Sequence, residues 1–284
     1  MLRLFRALSR LPLGLLQAAG GALGLLVYAA SAEYRARLRE NLRLAGHAEL
    51  ALALAAARDA GRMLGELPFI WFRGDAALRR VRVDGRECVE QARAQGRGVL
   101  FLTPHLGCFE VSAQVAATWG PITVLYRAPR KAWLAELVQA RQRDKLRIAP
   151  ATMAGMRPLL RALRAGEAVG MLPDQAPSAG EGVWAPFFGR PAYTMTLPAR
   201  LVQLTGARIV LAFAERLPRG AGYHLHLRAL DETLPEDPAA AAVRLNRAIE
   251  ELIEMHPSQY LWGYNRYKTP PGAPPAPAAT ETPA

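Results

Sequence analysis

The sequence predicts an α/β fold: a mixed, mostly parallel central sheet flanked by helices, preceded by an N-terminal membrane-anchoring helix. Three observations predict it. Short apolar runs of strand length recur along the chain, and Ala/Leu/Arg-rich segments of helical period stand between several of them. A charge-free stretch, LPLGLLQAAGGALGLLVYAASA (11–32), comes before all of these. Finally, His105, Arg127 and Asp174 each stand at or just past the end of an apolar run, where an open α/β sheet gathers its functional groups.

The elements follow in chain order. The 11–32 stretch comes after Arg3, Arg6 and Arg10 and is long enough to cross about 30 Å of hydrocarbon. It exceeds the apolar core of a cleaved signal peptide, so an uncleaved anchor over residues 1–34 is expected. Gly20, Gly21, Gly24 and Gln17 leave a shallow or tilted helix open, and a buried core helix is the alternative. Arginines on both flanks fix no orientation.

Residues 33–46 and 49–74 carry helical periodicity, and RRVRVDG (79–85) alternates as a half-exposed strand does. RECVEQARAQG (86–96) reads as a helix closed by glycine. GVLFLT (98–103) is a buried strand ended by Pro104. HLGCFE (105–110) then carries a histidine five positions before a glutamate. On one helix that spacing separates two side chains by about 140°, so His105 is expected in a tight loop and Glu110 on the helix beginning near Cys108 and closed by Gly120. The two would then meet as a base and its orienting carboxylate. Further strands are expected at 122–127, 168–174, 207–217 and 223–230, and a helix at 239–257. The catalytic unit is expected over 35–268. Residues 269–284, rich in Pro, Ala and Thr, read as a disordered tail.

Composition narrows the partners. The chain of 284 residues is 51% hydrophobic and carries a formal charge of +12, which calls for anionic partners. Aromatics make up only 7% and no zinc-finger or RNA-recognition motif is present, so no nucleic acid is expected; anionic lipid or an acidic carrier protein fits better. Two cysteines, Cys88 and Cys108, make no disulfide framework and suggest a reducing compartment. Cys108 reads as a small buried residue beside the turn, with an activated thiol as the alternative.

MRPLLRALRAG places Arg157, Arg161 and Arg164 on one helix face. That is an ordinary solvated face or, more sharply, a docking surface for a carrier protein or lipid phosphates. His224 and His226 share one side of a strand, but no third ligand stands at useful spacing, and no metal is expected.

Several blocks then agree in order. HLGCFE resembles the H-x4-D/E motif of the glycerolipid acyltransferases, and its glutamate form is similar to the late lipid A acyltransferases. The anchor with RARLRENLRLAG, then LYRAPRKAW, GMLPDQAPSAGEGVWAPFFGRPAYT and HPSQYLWGYNRYKTPP extend the resemblance over residues 1–270.

The resemblance implies acyl transfer from an acyl-carrier protein thioester to a hydroxyl of an anionic glycolipid, a lipid A precursor, at the cytoplasmic face of a bacterial inner membrane, with no cofactor. His105 would be the general base and Glu110 its orienting carboxylate. Arg127 would bind substrate phosphate or oxyanion, and Asp174 with Gln175 would organise the acceptor pocket. No G-x-S-x-G elbow is present for a serine route. WGYNRYK departs from the family's histidine and paired arginines, which leaves open an acyltransferase acting on an aminolipid or a glycosylated phospholipid. A non-catalytic lipid-binding scaffold is the alternative of a different class.

Overall fold

The computed structural model describes residues 2–126, 145–230 and 233–277. Six helices come first: α1 (Leu2–Leu8), α2 (Leu13–Ala30), α3 (Ala32–Leu44), α4 (Leu50–Gly65), α5 (Leu67–Phe72) and α6 (Gly74–Leu78). The helical run expected over 49–74 is broken near Pro68. A proline inside the first turn costs nothing at the start of a new helix but ends the old one, and α5 starts there. Ser31 separates α2 from α3 and caps the latter, its hydroxyl accepting from the Tyr34 N–H.

Next come β1 (Val81–Asp84), α7 (Glu87–Ala94), β2 (Val99–Leu102), α8 (Phe109–Trp119), β3 (Ile122–Tyr126), β4 (Leu146–Pro150), α9 (Met153–Arg164) and β5 (Ala168–Met171). A hairpin of β6 (Gly182–Phe187) and β7 (Arg190–Met195) follows, then α10 (Leu197–Thr205), β8 (Arg208–Arg216), β9 (Tyr223–Ala229) and α11 (Pro238–Met255). The sequence reading named neither β4 nor the hairpin. The turn of the latter is marked by Phe188 and Gly189, both at positive φ.

The central sheet has the order β1-β9-β8-β2-β5-β3-β4. The five strands from β8 to β4 run parallel to one another; β9 pairs antiparallel with β8, and β1 runs parallel to β9. Alternation along each strand divides the interior in two. Leu100 and Leu102 of β2, with Ile209, Leu211 and Phe213 of β8, face the helices α4, α9 and α11. Val99 and Phe101, with Val210, Ala212 and Ala214, face α7 and α8. Burial on both faces is why these strands read as continuous apolar runs.

The N-terminal helix does not stand apart. Gly20 and Gly24 of α2 lie on Gly61 and Gly65 of α4 so closely that a Cβ on Gly24 would stand 3.0 Å from the Gly61 Cα and run into the Ala57 carbonyl. Gln17 Nε2 donates to the buried Glu66 carboxylate at 2.9 Å. The opposite face exposes Leu15, Leu23, Leu26 and Val27. By length and composition α2 is the one helix among the described residues able to cross a membrane. Of the tail, residues 269–277 form no helix or strand.

Candidate active site

Strands β2 and β5 are neighbours, and their register brings two distant motifs together. Leu102 pairs with Met171, and His105 and Asp174 each stand three positions past those partners. The ladder continues one step further, the Thr103 N–H donating to the Met171 carbonyl at 3.1 Å. Both side chains therefore emerge at the carboxyl edge of the sheet.

The loop bearing His105 is held on two sides. Gly107 has φ +60, and a side chain there would collide with the Ala214 carbonyl at the end of β8. The Cys108 N–H donates to that same carbonyl at 2.8 Å, and the Gly107 N–H to the Gln259 carbonyl at 3.1 Å. Leu106 bridges to Tyr260, and the His105 carbonyl accepts from the Leu261 N–H at 3.0 Å. The block HPSQYLWG thus clamps the histidine loop, a role its sequence alone does not announce.

Asp174 holds the imidazole. Its Oδ1 lies 2.9 Å from His105 Nδ1, and its Oδ2 accepts the backbone N–H of His105 at 2.9 Å. The Gln175 amide Nε2 lies 3.1 Å from His105 Nε2. The Asp174 carboxylate only accepts, so Nδ1 carries a proton directed at it, and in the neutral ring Nε2, facing the Gln175 amide, is the nitrogen left to accept.

The Asp174 side chain is 2% exposed against 17% for His105, so the carboxylate is sealed and the imidazole reachable. Burial pushes the Asp174 carboxyl up, but the charge of His105 and the hydrogen bonds from its ring and backbone outweigh it and hold the group below the usual carboxylate value.

Glu110 was expected to orient the ring. It is buried in the first turn of α8, one loop away, and its Oε2 accepts the Trp71 indole N–H at 2.9 Å, whereas the carboxylate bonded to Nδ1 is that of Asp174. The spacing H-x4-E delivers both groups to one region; pairing His105 with Asp174 needed the register of β2 on β5. Arg127 follows β3 directly but lies outside the described residues, as does the rest of RAPRKAW. Arg157, Arg161 and Arg164 are exposed on α9, with Leu159 and Leu163 buried beneath.

An apolar pocket opens between α8 and the sheet, lined by Phe101, Phe109, Ala113, Ala116, Val124 and Leu225 among others. Phe109 belongs to both places, since its ring also meets the His105 imidazole edge-on with centroids 5.0 Å apart.

Behind the loop lies a buried ion pair. Arg216 Nε and Nη2 donate to the two Glu66 oxygens at 2.9 and 2.7 Å, and Nη2 also reaches the Gly107 carbonyl at 3.2 Å. Tyr223 Oη and Gln17 Nε2 donate to the same Glu66 oxygen. Cys108 lies against this network: burial and the Glu66 carboxylate push its thiol far up, so it stays protonated and is no nucleophile. Arg266, in the departing terminal block, is buried and bonded to the Tyr193 carbonyl and to Thr194 Oγ1, while Tyr264 Oη accepts from the Ala176 N–H in the PDQ loop.

The family model described as bacterial lipid A biosynthesis acyltransferase matches residues 1–269. The chain is 32% identical to the lipid A biosynthesis palmitoleoyltransferase of Escherichia coli (strain K12) over 216 residues, covering 75% of this chain and 70% of that one. It is 30% identical to the lauroyltransferase of the same organism over 74% of this chain and 70% of that one, and 28% identical to its myristoyltransferase over 76% and 67%.

Proposed function

Since the chain belongs to the bacterial lipid A biosynthesis acyltransferase family, and is thus an acyltransferase, we propose that it moves a fatty acyl chain from an acyl-carrier protein thioester to a hydroxyl of a lipid A precursor, with His105 as general base. The observation that carries this reading is the Asp174–His105–Gln175 array, in which a protonated Nδ1 is held by a buried carboxylate and Nε2 is left as the accepting nitrogen.

The acceptor hydroxyl takes the place of the Gln175 amide at Nε2 and passes its proton there as its oxygen attacks the thioester carbonyl. Asp174 stabilises the imidazolium. Collapse of the tetrahedral intermediate breaks the C–S bond, and the leaving thiolate takes the proton back from Nε2. No covalent enzyme intermediate forms. Glu110, in the first turn of α8, is held by the Trp71 indole N–H, and Arg127 is assigned to acceptor phosphate or the developing oxyanion.

We assign the acyl chain to the apolar lining beneath Phe109, which shares that ring with the imidazole; the cavity there, about 30 Å³, must widen to admit the chain. The exposed leucines of α2 suit a lipid surface, and we assign the enzyme to the bacterial inner membrane with its site toward the cytoplasm, where carrier thioesters are found. The exposed arginines of α9 suit the acidic carrier protein. No cofactor is needed in this scheme.

The test is mass spectrometry of lipid products after incubation of detergent-purified protein with mixed acyl-carrier thioesters and a tetra-acylated lipid A precursor. A gain of one acyl group, absent with folded His105→Ala, is expected. A second reading, transfer to an aminolipid or glycosylated phospholipid, is favoured by the terminal block, where Tyr264 and Arg266 are committed to internal bonds. A gain on those acceptors and none on lipid A would select it.

A further inference from the structure

The sequence offers His224 and His226 but no third metal ligand near them, and the fold supplies one from 140 positions away. Strand β1 pairs with β9 in a register that sets Asp84 opposite His226. One donor atom from each of Asp84, His224 and His226 lies within 4.8 Å of the other two.

The individual approaches are closer. Asp84 Oδ2 is 2.7 Å from His224 Nε2, and the two imidazole centroids are 3.9 Å apart. Glu215, opposite His224 on β8, brings its Oε2 to 3.1 Å from His226 Nε2 and 3.9 Å from His224 Nδ1. The same oxygen lies 3.5 Å from His256 Nε2 at the end of α11. Arg82 faces Asp84 at 3.4 Å and is the one neighbouring cation with a polar contact to this carboxylate among the described residues. Asp84 is exposed and both histidines are part-exposed, so the group is reachable from solvent.

We propose that Asp84, His224 and His226 bind a first-row transition cation, zinc being the reference, with Glu215 entering as a fourth ligand. The donor set is mixed imidazole and carboxylate, which suits zinc and not the hard, all-oxygen preference of calcium or magnesium. Tetrahedral zinc with bonds of about 2.0–2.1 Å sets donors about 3.3 Å apart, against contacts of 2.7, 3.1 and 3.9 Å within this group. Two features prepare it. Strand pairing fixes all four backbones, and the His226 ring is stacked on the buried Phe213 with centroids 5.6 Å and planes 19° apart. The bound ion would tie the short edge strand β1 to the β8–β9 hairpin, whose β8 end carries Ala214 and Arg216 against the histidine loop.

The test uses untagged full-length protein, stripped with chelator and titrated with zinc chloride by calorimetry, with elemental analysis after dialysis. One zinc per chain is expected, weakened about tenfold to a hundredfold by Asp84→Asn and abolished by His224→Asn with His226→Asn. Circular dichroism checks that the variants fold. Wild-type uptake no greater than that of the double variant, or unchanged affinity in Asp84→Asn, overturns the site and leaves these groups as surface ion pairs. A second measurement needs no variant: zinc should shield His224 and His226, but not His47, from carbethoxylation read by peptide mapping. Equal modification with and without zinc overturns the proposal as well.

Discussion

At the residue scale the division of labour between carboxylates decides most. Asp174 touches both the ring and the backbone of His105, so it fixes where the base sits and which nitrogen is free. His105→Ala is expected to cut kcat by about 10²–10⁴-fold, the range of a lost general base. Asp174→Asn should cut kcat while leaving KM for the thioester within a few-fold, because the imidazolium loses its partner; steady-state kinetics measure both.

Asp174 also predicts an acid dependence of stability. Its folded pKa lies below the unfolded value of about 3.9, so its stabilisation is complete above that value and is lost as pH falls through the lowered one. Urea midpoints of wild type and Asp174→Asn should therefore converge on acidification below about pH 4. A gap that persists unchanged into acid would contradict the linkage.

At the scale of elements, the helix pair α2–α4 and the ion pair behind the loop explain how an apolar N-terminal segment becomes part of the domain. The α2–α4 contact works because the facing positions are glycines: Gly20 and Gly24 against Gly61 and Gly65 leave no room for a Cβ. Gly61→Val is expected to destabilise the protein by about 1–3 kcal/mol or more through overpacking, measured as a lowered denaturation midpoint.

Arg216 ties β8 to Glu66, between α4 and α5, and to the Gly107 carbonyl. Burial opposes its charge, but Glu66 holds the guanidinium protonated. Removing one partner leaves a buried unpaired charge, so Arg216→Met should cost about 3–5 kcal/mol, and adding Glu66→Gln should recover part of that. The loop's glycine explains why the sequence spells HLGCFE: at φ +60 and against the Ala214 backbone, no other residue fits that place.

For the whole molecule, the sheet sets His105 over an apolar pocket on one face and buries α4, α9 and α11 on the other. If the acyl chain lies in that pocket, Ala116→Phe should shift the preferred donor toward shorter chains without abolishing transfer, read by mass spectrometry with mixed thioesters. An unchanged chain-length profile would place the chain elsewhere.

Much of this architecture was legible in the sequence, for physical reasons. Strands buried on both faces must be continuous apolar runs, which is why 98–103 and 207–217 gave β2 and β8 almost to the residue. Helices ended where glycine or proline ended them. The hairpin β6–β7 and strand β4 were not legible, because partly exposed strands that contain prolines carry a weak pattern.

The sequence by itself determined the α/β class, the family, and the residue types that could act at the ends of the strands, since each of these follows from local pattern. Only the tertiary structure decided who partners whom. Asp174 reaches His105 through the β2–β5 register, Asp84 reaches His224 through the pairing of β1 with β9, and Glu66 reaches Arg216 across 150 positions. Those meetings depend on strand order, and strand order is set by the packing of the whole chain, which no short stretch of it encodes.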